Sequence, residues 1–170
     1  MNTNPLTKAG VLAALIGFSA SASAGEAKVQ WQNPENYSDI RSGNQTNKSR
    51  MRSIDNALGA EFADMAAMLP PGYRLDVTVT DLDLAGEIDP VPTRTMSETR
   101  VLKDIYFPRM TFDYRLLDAQ GAVQMEEKDV KLKDMQYMSE SKSVKTNQSY
   151  YSERKMIRDW FNKDILPKLK

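Results

Sequence analysis

The stretch TVTDLDLAGEIDP, residues 78–90, places four carboxylates, Asp81, Asp83, Glu87 and Asp89, within nine residues. Acidic side chains at alternate positions around a glycine are the donors of a hard-cation loop of the EF-hand kind. Such a loop needs oxygen ligands at positions 1, 3, 5, 7 and 9 and a bidentate Glu at position 12. Counted from Asp81, position 5 is Ala85 and position 12 is Pro92. With those two donors missing, and a strand rather than a helix in front of the loop, the spacing supports at most weak binding of Ca²⁺ or Mg²⁺. An acidic, solvated turn is the simpler reading. A third is an ion pair with an arginine of a neighbouring strand, for which Arg100 is nearest in sequence. The residues singled out for binding are therefore Asp81, Asp83 and Arg100, with no catalytic residue, metal ligand or cofactor assigned.

Other chemistry is thin. Ser139 to Lys142 matches the S-x-x-K of penicillin-recognising serine enzymes, and Lys145-Thr146-Asn147 half-matches their K-T-G. In that chemistry the second motif lies on a distant strand. Here the two sit three residues apart, and Ser152 to Lys155 repeats the first pattern, so chance accounts for both. Carboxylate pairs such as those of glycoside hydrolases need a defined separation, and nothing in the spacing of Asp81, Asp83, Asp104 and Asp113 selects a pair. The chain contains no His and no Cys. That removes imidazole and thiolate zinc sites, Ser-His-Asp and Cys-His nucleophiles, His-ligated haem and thiol redox.

The elements that must carry these residues are legible from periodicity. Val29 and Trp31 share a phase in a strand expected over about residues 27–32, before a loop rich in Asn, Ser and Gly. Met51, Ile54, Leu58, Phe62, Met65 and Leu69 advance by 3, 4, 4, 3 and 4, one apolar stripe on a helix of about five turns. Pro70-Pro71-Gly72 ends it. Leu75, Val77 and Val79 then alternate inward, but Asp81 and Asp83 continue the inward parity. A bulge near Thr80 would restore Leu82 and Leu84 to the core and turn both aspartates outward.

A run over about residues 99–106, alternation at Met110, Phe112, Tyr114 and Leu116, a turn at Asp118 to Gly121, and further runs at Val123 and Met125 and at Val130 and Leu132 read as a meander. The polar stretch 139–149 reads as a surface connection. Met156, Ile157, Trp160, Phe161 and Ile165 mark a second amphipathic helix ended by Pro167. Strand, helix, strands, helix implies an α+β two-layer sandwich. Its sheet of four to five strands is mostly antiparallel, with two amphipathic helices on one face.

At the N-terminus, Lys8, an apolar run from Ala9 to Phe18 and the small residues Ala22-Ser23-Ala24 have the layout of a secretory signal peptide. The run is too short to span a bilayer of about 30 Å as a helix. Residues 1–24 are the expected leader and 25–170 a single domain, exported to the periplasm. Without cysteine neither disulfides nor a lipid anchor is available, so the core alone must stabilise the 146 residues from Gly25. The 23 basic and 23 acidic residues balance, which argues against a nucleic-acid footprint.

The segments VQWQNPENYSDIR, LPPGYRLDVTVTDLDLAGEIDP, TRVLKDIYFPRMTFDYRLLDAQGAV, KLKDM and ERKMIRDWF, in that order, resemble DUF3016, a family of secreted bacterial proteins defined as a domain of unknown function. The resemblance implies an envelope protein and assigns no activity or functional residue. A non-enzymatic periplasmic domain that binds a protein or envelope component is the expected function. The alternatives are a small carboxylate-dependent hydrolase or weak metal binder, and a binder of small apolar ligands.

Overall fold

A computed structural model of the chain describes residues 24–38, 40, 47–88, 100–141 and 149–169. Of the expected leader, residues 1–24, all but Ala24 lie outside them, as do Asp89, Pro90 and Pro92 of the acidic stretch and Lys142 to Asn147 of the serine-enzyme match.

Strand β1 (Glu26–Trp31) is followed by a 3₁₀ turn at Pro34–Asn36 and by helix α1 (Asn47–Ile54). A π-helical turn (Asp55–Gly59) joins α1 to α2 (Ala60–Ala66). Strand β2 (Arg74–Asp83) leads to the short β3 (Glu87–Ile88) and β4 (Arg100–Val101), then to β5 (Arg109–Leu117) and β6 (Val123–Lys133). Helix α3 (Tyr137–Ser141) precedes α4 (Tyr151–Trp160), which continues as a π-turn (Phe161–Ile165) and a 3₁₀ turn (Leu166–Leu169).

The main sheet has the order β1-β2-β5-β6, and β3 pairs with β4 in a second, two-stranded sheet. The fold is α+β. Strands β1 and β2 run parallel, joined by the α1–α2 crossover, whereas β2–β5 and β5–β6 are antiparallel. The expected bulge is present: the β2–β5 register shifts between Val79 and Asp81, and Leu82 and Leu84 are buried. The Tyr37 hydroxyl donates to the Val79 carbonyl at 2.7 Å beside this bulge. Burial pushes that phenol far above its ordinary range.

A second bulge lies opposite the segment between Phe112 and Tyr114, where Asp129 adopts φ 57° and its N–H donates to Asp113 Oδ1 at 2.9 Å. It makes one eleven-residue strand of two sequence runs, because Met125 and Val130 share a face only if one residue is inserted between them.

Both stripes face one side of the sheet. Ile54, Leu58, Phe62, Ile157, Phe161 and Ile165 are fully buried there, and Trp160 stacks edge-on against Phe112 and Tyr114. Each helix contains two successive four-residue steps, Ile54-Leu58-Phe62 and Ile157-Phe161-Ile165, which drift around a regular 3.6-residue helix. In each case a π-turn, closing i to i+5, accommodates the extra residue and keeps the stripe on the core.

Two expectations fail. Among the described residues of the run over 99–106, only Arg100–Val101 form a strand; beyond it, Tyr106 N–H bonds to the Lys103 carbonyl and the chain turns. Pro167 does not end the last helix, whose final turn tightens to 3₁₀ around it. Of the polar stretch 139–149 the described residues are 139–141, which continue helix α3, and 149; Ser139 and Ser149 are exposed, and Tyr137 at the start of α3 is buried.

Candidate functional site

The acidic stretch is a structural junction. Asp81 accepts from the N–H of Ser38 at 3.2 Å and from its hydroxyl at 3.4 Å, which fastens the loop after β1 to the β2 bulge. Asp83 lies 3.5 Å from Arg109. Arg100 reaches the carbonyls of Leu84, Ala85 and Gly86 at 3.5, 3.2 and 2.8 Å. In these contacts it caps the backbone that follows the aspartates. From the other side the Ala85 N–H donates to Glu153 Oε1 of α4 at 2.7 Å, a buried carboxylate. Among the described residues no group of three or more acidic side chains comes together to hold a metal ion.

A different set of polar residues is assembled on the face of the sheet opposite the helices. In register, Lys28 stands beside Asp76, Asp76 beside Arg115, and Arg115 beside Glu126. One row of alternating charge therefore crosses all four strands. Its middle is neutralised: Asp76, only 16% exposed, takes Arg74 Nε at 2.8 Å and Arg115 at 3.4 Å. Hydrogen bonding to Asp76 and its charge hold Arg74 above the ordinary guanidinium range, so it stays cationic.

The ends of the row, Lys28 and Glu126, are exposed and form no ion pair among the described residues. Three strand spacings separate them by about 14 Å. The neighbouring row is Gln30, Thr78 and Asp113. Together these side chains and Lys128 line an open concavity of about 390 Å³. Small-ligand pockets of this size are enclosed and mainly apolar. This one is polar; Tyr114, which also lines it, is buried and its ring stacks on Trp160 of the core.

Sequence reasoning missed this face and also the buried Glu61 of α2. That carboxylate takes Arg154 Nε at 2.8 Å and Arg158 Nε at 2.9 Å, bolting α2 to α4. A signal was available: two arginines at i and i+4 repel on an isolated helix and call for a shared counterion.

The family model described as a protein of unknown function, DUF3016, matches residues 25–163. The chain belongs to DUF3016. Comparison with curated proteins and with solved structures gives no match. The region shared with DUF3016 includes all four strands of the charged row, the Asp81 junction and the Glu61 clamp.

Proposed function

We propose that this DUF3016 protein is a secreted, non-enzymatic domain of the bacterial periplasm that binds a protein or other polar envelope component through the open face of its main sheet. The observation that carries the reading is the charged row from Lys28 to Glu126, ion-paired at its centre and, among the described residues, without an ion pair at its ends. Fixed charges of opposite sign about 14 Å apart select a partner by complementary spacing. On this face Asp76 is engaged with arginines and Asp113 with a backbone N–H group, which suits recognition better than acid–base chemistry. Export is supported by the leader layout and by the start of the family match at Gly25, the residue that cleavage after Ala24 would expose.

The test is size-exclusion analysis of native periplasmic extract. The protein, with an intact mass beginning at Gly25, is expected in a species larger than its monomer, and Lys28→Glu with Glu126→Lys should return it to the monomer position. Elution of the wild type as a free monomer, or no response to the reversal, would count against the reading.

A further inference from the structure

At the end of the sheet formed by the C-terminus of β2, the start of β5 and the end of β6, two turns stand side by side. The Tyr137 hydroxyl donates to the Lys103 carbonyl at 2.8 Å, and the Asp134 N–H donates to the Pro108 carbonyl at 3.2 Å. The segment 102–106 is further fixed by Gly86 N–H on the Tyr106 carbonyl at 2.8 Å. At Gly86, φ is 81° and an added Cβ would lie 2.6 Å from the Val101 carbonyl oxygen, so the loop closes onto bare backbone.

These braced turns hold large apolar side chains in water: Leu102 is 48% exposed, Ile105 68% and Met135 60%. Around them, the Lys103 ammonium lies 5.7 Å from the Tyr106 ring centre and the Arg109 guanidinium 4.3 Å from that of Phe107. Lys133 is exposed beside them. Around these three cations the carboxylates of Asp104 and Glu87 are exposed, Asp83 lies 3.5 Å from Arg109, and Asp134 is half-buried and accepts the Gln136 N–H at 3.0 Å.

We propose that this end of the molecule is a peripheral membrane contact, in which Leu102, Ile105 and Met135 enter the acyl boundary of an anionic phospholipid surface while Lys103, Arg109 and Lys133 meet the headgroups. The chemistry is that of interfacial segments: aliphatic tips, aromatic rings at headgroup level and flanking cations. Arg109 and Lys133 lie on the same open face of the sheet as the alternating row, with Arg109 six residues along β5 from Arg115; vesicle binding and the native-extract complex are separate readouts, so the failure of one proposal is distinguishable from that of the other.

The experiment is co-sedimentation of the mature protein with vesicles of phosphatidylethanolamine and phosphatidylglycerol, and with vesicles of phosphatidylcholine alone. Binding to the anionic vesicles is expected, with Ile105→Asp and Met135→Asp each lowering the partition coefficient about tenfold or more. Lys103→Glu with Lys133→Glu should weaken binding to the anionic vesicles and leave the residual binding to phosphatidylcholine unchanged. These positions are exposed, and urea midpoints equal to wild type confirm that the variants fold. Absence of wild-type binding to either vesicle would overturn the proposal. So would a concentration-dependent dimer abolished by Ile105→Asp, which would show that the patch is covered by a second copy of the chain.

Discussion

Asp118 ties the β5–β6 turn together by itself. Its carboxylate accepts the N–H groups of Gln120 and Ala122 at 2.9 Å and the Gln124 side-chain amide at 2.6 Å, beside Gly121 at φ 81°. The bond from Ala122, followed by those from Gln120 and Gln124, holds the carboxyl below its ordinary range despite some desolvation. A carboxyl lowered in the folded state stabilises above its unfolded pKa and loses that contribution as pH falls through the folded value. Asp118→Ala should therefore be less stable than wild type near neutral pH, with the difference closing below about pH 4. Urea midpoints at a series of pH values measure this; a gap independent of pH would mean that the turn is held by backbone bonds alone.

The turn was legible from its residue types, and the Thr80 bulge from the flip in phase. The role of Asp81 was not, because its partner Ser38 sits 43 positions away in a segment without periodicity.

The α1–α2 and α4 stripes identified their helices, and the four-residue steps within them account for the π-turns. What periodicity leaves out is the polar contact between the helices. Glu61 falls among apolar stripe residues, yet its side chain is 1% exposed, and the clamp with Arg154 and Arg158 holds α2 against α4. The arginines remain partly open to solvent, at 23% and 44%, so the cost of breaking the clamp falls mainly on the carboxylate. Arg154→Ala with Arg158→Ala leaves Glu61 buried and uncompensated, and should cost about 3 to 5 kcal/mol. Adding Glu61→Leu to that pair should restore a large part of the loss, since a well-packed apolar group often replaces a buried ion pair without penalty. Equal urea midpoints for the wild type and the double variant would show that water reaches the carboxylate.

For the whole molecule, the sequence carried the two-layer α+β architecture because each layer has its own period. It did not carry the site. Lys28, Asp76, Arg115 and Glu126 come from four strands and become neighbours only through a parallel β1–β2 crossover and the register shifts of the β2–β5 and β5–β6 pairings. No local pattern encodes those. The acidic run at Asp81 drew attention through its density, and its residues serve to join a loop, a strand and a helix. The face that remains open presents fixed charges to whatever approaches.

The most direct test of that role is site-specific photocrosslinking in living cells, with a photoreactive side chain at Thr78, in the middle of the open face, and at Arg52, exposed on α1, as the control. A discrete adduct from Thr78, absent from Arg52 and lost when Lys28 and Glu126 are exchanged in charge, is the predicted result. No adduct from Thr78, or the same adducts from both positions, would contradict the assignment of this face as the recognition surface.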